Sequence, residues 1–230
     1  MVKHHFFGRD CKIDRQLNDY SDLKRCLKVI KWDFENINFV NQTHSSEVYV
    51  IDDKDKIQGV SGLAKADAIV TNHKNLVIAV VTADCSPIIL QDEKNSVVSV
   101  VHAGWRGAKN GVIENAIDAM VALGADISSL EAFIGPMIHQ KSYQVSQEFY
   151  DDFTVEDKNN SQFFKNDKIK DKYLFDLPAF VTKVLSNKGV LKIDNVQIDT
   201  YENCDKYSSY RKSSHDPLYE NSRNISVVMI

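Results

Sequence analysis

The chain has 230 residues, of which 43% are hydrophobic and 26% are charged, a composition typical of a globular protein with a sizeable core. The formal net charge is −4 and the charges are spread along the chain, so the sequence offers no basic patch for nucleic acid or for an anionic membrane. Four cysteines without framework spacing, no signal peptide and no apolar run of the roughly 18 residues that span a bilayer together predict reduced thiols in a cytoplasmic protein.

The first part of the chain predicts one helix followed by several short strands. Apolar residues at helical spacing favour a helix over 17–29, with Asp19 or Ser21 as its N-cap. β-Branched and alternating runs then predict strands at 47–52, 66–71 and 76–81.

The most informative segment is a predicted β-hairpin, with Cys85 just before its first strand and His102 at the end of its second. An apolar run and a β-branched run flank a polar turn, as in a hairpin. Pairing Gln91 with Ser96 or Val97 brings Cys85 back beside His102. A thiol and an imidazole that converge at a strand end indicate a metal site or a nucleophile with its base.

The second half of the chain alternates predicted helices with strands. Helical spacing favours helices at 109–123, 145–153 and 177–188, the last with Asp176 as its N-cap. Strands are predicted at 130–135, 195–199 and 225–230, and a polar surface segment at 154–172. With no internal repeat and no flexible linker, this order predicts an α/β (α+β) fold in one domain over 1–230, a layered sandwich of mixed β-sheets with flanking helices.

The hairpin residues supply two of the three protein ligands that a catalytic zinc site takes. These are Cys85 and His102, although a cysteine alone is more often a small buried hydrophobic residue. The composition leaves the third ligand open among His44, His73, His139 and His215. Asp84 is a candidate to orient a ligand imidazole or to act as a general base, and its alternative role is to cap a turn.

The segment that follows His102 predicts an anion site. Gly104-Trp105-Arg106-Gly107 lies between a strand and a helix, where free backbone N–H groups favour an anion. The glycines let the backbone approach closely, and Arg106 adds a permanent positive charge. The alternative is a tight turn in which Arg106 forms a structural salt bridge.

Several motifs together resemble one protein family. The match is carried by Asn41-Gln42-Thr43-His44, Ala66-Asp67-Ala68, Thr82-Ala83-Asp84-Cys85, Val101-His102-Ala103-Gly104-Trp105-Arg106-Gly107 and Ile134-Gly135-Pro136. Weaker similarities are Tyr143-Gln144-Val145, Cys204, Ser209-Tyr210-Arg211 and Arg223. On these residues the chain resembles the YfiH-like family, also labelled laccase-domain or polyphenol oxidase-like proteins, whose members include zinc-dependent purine nucleoside phosphorylases.

The resemblance implies His44, Cys85 and His102 as the ligands of a zinc ion, and so selects His44 among the four histidines. It also implies phosphorolysis of adenosine, inosine, guanosine and methylthioadenosine, with adenosine deamination as a second activity on these small-molecule substrates. We expect Asp84 to transfer a proton, and Arg106, with Gly104 and Gly107, to hold phosphate. From the resemblance alone, we expect Tyr210 and Arg211 to close over the substrate.

The chain departs from the family pattern at two places, which bear on substrate range. The N-terminal Thr-Arg and Gly-Gly-Val-Ser stretch of the family is reduced to Gly8-Arg9-Asp10-Cys11, which leaves the role of Arg9 open. A family glycine is replaced near Ile138-His139, and the C-terminal Thr-Gly-Arg has become Asn221-Ser222-Arg223.

Three other functions compete with nucleoside chemistry. Some relatives are associated with editing peptidoglycan precursors, where a zinc-bound water would attack an amide carbonyl. The family label suggests a copper oxidase of phenols, but several coppers need many imidazoles and the seven histidines include no His-x-His pair. The last alternative is a redox or metal sensor that uses Cys85.

Overall fold

Three β-sheets form the framework of the computed structural model, which describes residues 1–12, 20–59, 63–220 and 222–230. The strands are β1 (Lys3–Phe7), β2 (Asn36–Asn38), β3 (Val48–Ile51), β4 (Ala68–Thr71), β5 (Leu76–Thr82), β6 (Ser86–Asp92), β7 (Val97–Ala103), β8 (Glu131–Ile134), β9 (Gln144–Ser146), β10 (Phe164–Asn166), β11 (Lys172–Phe175), β12 (Lys192–Asn195) and β13 (Asn224–Met229). The α-helices are α1 (Ser21–Val29), α2 (Trp105–Lys109), α3 (Val112–Ala122), α4 (Gln147–Glu156), α5 (Leu177–Asn187) and α6 (Tyr210–His215).

The largest sheet has six strands in the order β12-β8-β6-β7-β4-β3, and a four-stranded sheet has the order β1-β13-β5-β2. A third, three-stranded sheet has the order β10-β11-β9. Parallel pairs (β3 with β4, β12 with β8, β2 with β5) occur beside antiparallel ones, so both larger sheets are mixed. This confirms the predicted mixed sheets.

The two larger sheets pack face to face because β5 is apolar on both of its faces. Val77, Ala79 and Val81 pack in the core that contains α1, whereas Ile78 and Val80 pack in the core shared with the six-stranded sheet. This alternation follows from the two-residue period of a strand. A strand with two apolar faces is stable only between two layers.

The six-stranded sheet also buries both of its faces. On the face away from β5, Ile88 and Leu90 of β6 join a core with Val101 of β7 and the apolar sides of α3 and α5. The order of layers is therefore α1, four-stranded sheet, six-stranded sheet, and α3 with α5. The predicted layered α/β sandwich with flanking helices is confirmed, and its single-domain organisation stays a prediction.

The predicted hairpin is present, but its strands pair one residue away from the predicted Gln91–Val97 register and two residues away from the predicted Gln91–Ser96 register. Gln91 pairs with Val98, and Asp92 pairs with Val97. The strand extends to Asp92 because this carboxylate accepts hydrogen bonds from the backbone and side-chain nitrogens of Asn95 and so fixes the turn. His102 then pairs with Pro87, which still leaves Cys85 at the same end of the hairpin.

Two predicted elements differ because the backbone turns at a left-handed residue. The helix predicted at 109–123 begins only at Val112, as α3, after Gly111 with φ 94°, and the separate short helix α2 ends at Lys109. The strand predicted at 195–199 is wrong: β12 ends at Asn195, and Gln197 has φ 53°, outside the extended region.

The remaining helices begin close to their predicted positions. The described part of the helix predicted at 17–29 is α1, whose first residue is Ser21 rather than a cap, and Asp19 lies outside the described residues. The helix predicted at 145–153 is α4, which begins at Gln147 with Ser146 as N-cap because the preceding residues pair with β11. Asp176 caps α5 as predicted.

The segment predicted as polar surface, 154–172, is more structured than expected. It contains a 3-10 helix and β10, and its Phe163 is buried against the ring of Phe180 in α5. Across the described ranges, none of the helices combines the length and apolar character that crossing a bilayer requires.

We expect Ile89→Ala to lower the free energy of unfolding by about 2–5 kcal/mol, because Ile89 is fully buried between the two larger sheets and its loss leaves a cavity. Urea unfolding followed by circular dichroism measures this change. Leu191→Ala is the control: this side chain is 85% exposed, and we expect a change within about 0.5 kcal/mol. Equal losses in the two variants would contradict the layered core.

Candidate metal centre

Three side chains, two from loops and one from a strand, meet at one end of the six-stranded sheet. They are His44, between β2 and β3, Cys85, between β5 and β6, and His102 near the end of β7. Their ligand atoms lie within 4.8 Å of one another, and Cys85 Sγ is 3.8 Å from His44 Nε2. Among the described residues, this group gathers none of the other three candidate histidines, His73, His139 and His215.

The geometry of this group fits a metal ion. A tetrahedral zinc ion holds sulfur at about 2.3 Å and nitrogen at about 2.0–2.1 Å, which separates the two atoms by about 3.6 Å. The separation of 3.8 Å between Cys85 Sγ and His44 Nε2 is close to that value. One thiolate and two imidazoles are a donor set that suits zinc and leaves one coordination position for a reactant.

Asp67 organises the group from behind. Its buried carboxylate accepts a 2.7 Å hydrogen bond from His102 Nδ1, which directs the other ring nitrogen of His102 toward Cys85. It also accepts hydrogen bonds from the backbone nitrogens of Thr43, His44 and Ser45, at 2.6–3.1 Å. One carboxylate therefore fixes two of the three ligand positions.

The loop that carries His44 needs this support. His44 has φ 59°, a left-handed conformation that is uncommon for a residue other than glycine. Burial alone would raise the pKa of Asp67, but the hydrogen bonds from His102 and Ser45 outweigh burial and hold this pKa well below its usual range. Asp67 is therefore an anion wherever the protein is folded near neutral pH.

Cys85 and His102 stabilise opposite charges on each other. Burial disfavours the Cys85 thiolate, but the charge and hydrogen bond of His102, with a further hydrogen bond from His44, outweigh it and lower the pKa of Cys85 to about 6. Burial likewise disfavours the His102 cation, and the Cys85 thiolate together with Asp67 raises the pKa of His102 to about 9. In the metal-free protein the pair is thus ready to supply the thiolate that a metal requires.

Gly104 leaves the space in which two of the ligands sit. A Cβ atom at this position would lie 2.9 Å from Cys85 Sγ and 2.9 Å from His44 Cδ2. Gly107, the second predicted phosphate-binding glycine, packs elsewhere, because its Cβ would lie 2.9 Å from the carbonyl oxygen of Ser45. Both glycines therefore allow close packing around the ligand loops.

Asp84 occupies a turn and connects it to the C-terminal part of the chain. It has φ 83°, and its carboxylate accepts hydrogen bonds from Thr200 Oγ1 at 2.7 Å and from the Arg211 backbone nitrogen at 2.6 Å. Burial raises the pKa of Asp84 in spite of these hydrogen bonds. The contact with an imidazole that Asp84 was predicted to make belongs to Asp67 instead.

Arg106 lies beside the metal group, where its guanidinium contacts an aromatic ring. Its guanidinium lies over the Trp105 ring, 4.4 Å from the centroid, and among the ion pairs of the described residues it forms none. The alternative prediction of a structural salt bridge therefore finds no support. The helix that follows, α2, has only five residues, so its N-terminus adds little to the charge of Arg106.

Two cavities adjoin the metal group. The first, of about 380 Å³, we name the aromatic lobe because Trp105, Tyr143 and Phe149 line it. The second, of about 460 Å³, we name the polar lobe, and Gln42, Thr82 and Arg223 line it. Their shared boundary comprises His44, Ala83, Cys85, Arg106 and Tyr210.

Residues from the C-terminal part of the chain, far in sequence from the metal ligands, also line these cavities. Tyr210 borders both lobes, and Arg211 lines the aromatic lobe with its guanidinium 5.4 Å from the Tyr143 ring centroid. Sequence reasoning assigned no role to Asp67 or Tyr143. The signal for Asp67 was an acidic residue near the start of the strand predicted at 66–71.

The sequence matches one family model and several named proteins over most of its length. The family model described as "Multi-copper polyphenol oxidoreductase laccase" matches residues 12–230. A purine nucleoside phosphorylase of Rickettsia prowazekii is 38% identical over 196 residues, 85% of this chain and 79% of the relative. A protein named adenosine deaminase RL5, from an unknown prokaryotic organism, is 31% identical over 182 residues, 77% of this chain and 70% of the relative.

A solved structure agrees with the fold. The crystal structure of the Bacillus licheniformis protein YfiH superposes with a TM-score of 0.82 at 23% identity, covering 98% of this chain and 85% of that chain. The layered mixed-sheet architecture is therefore shared with it.

We expect Gly104→Ala to weaken zinc binding by about 10–100-fold, the range seen when the surroundings of metal ligands are disturbed. The added methyl group displaces Cys85 Sγ and the His44 ring, which can move aside only when no metal holds them. Competition with a chromophoric chelator measures the affinity. The melting temperature of the metal-free variant should stay near that of the metal-free wild type, and a large drop would attribute the effect to folding instead.

We expect the alkylation of Cys85 by iodoacetamide in the metal-free protein to rise with pH with a midpoint of about 6, because His102 stabilises the thiolate above that pH. Asp67→Asn removes a charge that keeps His102 protonated, so the midpoint should move up toward the ordinary thiol value of about 8.5. Mass spectrometry of the Cys85 peptide measures the rate of alkylation. Both proteins carry Cys204→Ser, so that this other partly exposed thiol does not consume the reagent. A wild-type midpoint near 8.5 would contradict the charge pair.

Proposed function

This chain belongs to the family described as multi-copper polyphenol oxidoreductase laccase, and within it we propose that the protein is a zinc-dependent purine nucleoside phosphorylase that also deaminates adenosine. The observation that carries the proposal is the position of His44, Cys85 and His102 at the boundary of two cavities. The names of its relatives support nucleoside chemistry. We propose adenosine, inosine, guanosine and methylthioadenosine as its substrates.

Zinc fits this donor set better than copper. One cysteine and two histidines suit a tetrahedral zinc ion, whereas multi-copper chemistry needs more imidazoles than this group gathers among the described residues. A zinc ion held there supplies Lewis-acid chemistry and lowers the pKa of a bound water. The role of Asp67 is to keep His44 and His102 in place for that ion.

The aromatic lobe fits the purine. Trp105, Tyr143 and Phe149 offer ring faces and edges, and Arg211 lies against Tyr143 at the same cavity. A flat heterocycle stacks on such rings. We therefore propose that Tyr210 and Arg211 of α6 cover the nucleoside once it is bound.

In phosphorolysis a phosphate oxygen bonds to the anomeric carbon of the ribose while the bond from that carbon to the purine nitrogen breaks. The bonding electron pair leaves with the purine, which then takes a proton. Asp84 borders the aromatic lobe, and burial raises the pKa of its carboxyl group, which favours the protonated form relative to an ordinary aspartate and suits a group that transfers a proton. Arg106 neutralises charge on phosphate.

In deamination a water oxygen bonds to the purine carbon that carries the amino group, the bond from that carbon to the amino nitrogen breaks, and the amino group takes a proton from the water and leaves as ammonia. The same carboxyl group, Asp84, is placed to move that proton. One site can therefore serve both reactions, because both act on a purine nucleoside held in the aromatic lobe.

We expect phosphate-dependent release of free base from inosine, measured by xanthine-oxidase coupling, and we expect chelation or Cys85→Ser to abolish it by removing a metal ligand. Cys204→Ser is the matched control and should keep the wild-type rate. Muropeptide precursors and phenols, assayed in parallel, test the peptidoglycan and oxidase alternatives. Base release that survives in Cys85→Ser would refute the metal-dependent mechanism.

A further inference from the structure

The polar lobe contains two groups, Arg223 and Thr82, to which the roles proposed above assign nothing. It shares His44 and Cys85 with the aromatic lobe, and Arg223 and Arg106 both line it. Among the described residues that line it there is no aspartate or glutamate, whereas the aromatic lobe includes Asp84. Two arginines line each lobe, Arg106 with Arg223 in the polar lobe and Arg106 with Arg211 in the aromatic lobe. An anion is therefore attracted more strongly to the polar lobe, where no acidic side chain among the described lining residues offsets the two guanidiniums.

Thr82 supplies a second and independent indication of an anion. This residue is 2% exposed, lines the polar lobe, and its hydroxyl finds no hydrogen-bond partner among the described residues. A buried hydroxyl without a partner costs free energy, and an anionic oxygen in the cavity would accept its hydrogen. The Thr82 hydroxyl is thus available to donate a hydrogen bond to a bound anion.

Gln42 holds the wall of the lobe in place. Its side-chain amide donates to the Val81 carbonyl oxygen at 2.7 Å and accepts from the Val81 backbone nitrogen at 2.9 Å. Both ends of the amide are used, so Gln42 positions the end of β5, next to Thr82, and leaves ligand binding to other groups.

We infer that the polar lobe binds the inorganic phosphate cosubstrate, with the Arg223 and Arg106 guanidiniums and the Thr82 hydroxyl as its donors. This inference rests on the proposed phosphorylase function.

In a single displacement at a sugar ring, the nucleophile attacks from the face opposite the leaving group. Phosphate in the polar lobe and purine in the aromatic lobe place the ribose at the boundary that both cavities share. The new oxygen–carbon bond then forms on one side of the anomeric carbon as the carbon–nitrogen bond breaks on the other.

Arg223→Gln tests this assignment because it removes a cation from the polar lobe and leaves the aromatic lobe intact. We expect the KM for phosphate and the Kd for inorganic phosphate, the latter by calorimetry, to rise about 10–100-fold, as for the loss of a charged hydrogen-bond donor. The KM for inosine should change less than about threefold, which is a change of well under 1.4 kcal/mol. Thr82→Val, which keeps the side-chain shape, should raise the same two phosphate constants several-fold.

Lys212→Gln is the matched control. It removes a cation from α6 that lines neither lobe, so both phosphate constants should stay at their wild-type values. If the wild type phosphorolyses inosine and Arg223→Gln keeps wild-type phosphate constants, the phosphate assignment is overturned. If the wild type binds phosphate, Arg223→Gln does not, and no base is released, the phosphate site stands and the phosphorylase proposal fails.

Discussion

The site depends on one buried carboxylate. Asp67 binds the ring of His102 and the backbone of the His44 loop at the same time, so two ligands from distant parts of the sequence share one anchor. Its many hydrogen bonds keep it charged in spite of burial, and that charge in turn favours the protonated imidazole beside Cys85. Loss of Asp67 would release a strained loop and an imidazole together.

The sheets explain why this anchor lies where it does. Asp67 directly precedes β4, which pairs with β7, and His102 lies near the end of β7. The β6–β7 hairpin then brings Cys85 to the same end of the sheet. Because β4, β6 and β7 are buried on both faces, the ends of these strands cannot shift independently. A rigid sandwich therefore positions side chains on its loops with the precision that a metal requires.

The sequence predicted features that depend on local patterns, and it missed those that depend on contacts across the fold. Strands with uniform apolar character, such as β5, and the Asp176 cap were predictable because each follows from its own residues. The predicted hairpin register was wrong by one or two residues because a side-chain contact of Asp92 extends the strand. The convergence of Cys85 and His102 survived that error, since both residues stay at one end of the hairpin. Asp67 escaped notice because its partners lie 22–35 positions away.

The donors of the metal group all lie within the first 102 positions, whereas Tyr210, Arg211 and Arg223, which line the cavities, lie in the last 21. A chain leaving the ribosome therefore presents its thiol and imidazoles long before the segment that encloses them is made. The hydrogen bond from the Arg211 backbone to Asp84 spans 127 positions and joins that segment to the turn beside Cys85. The metal donors therefore exist in the chain before the C-terminal cavity walls do, and a substrate site is complete only when the C-terminal part of the chain has folded over them.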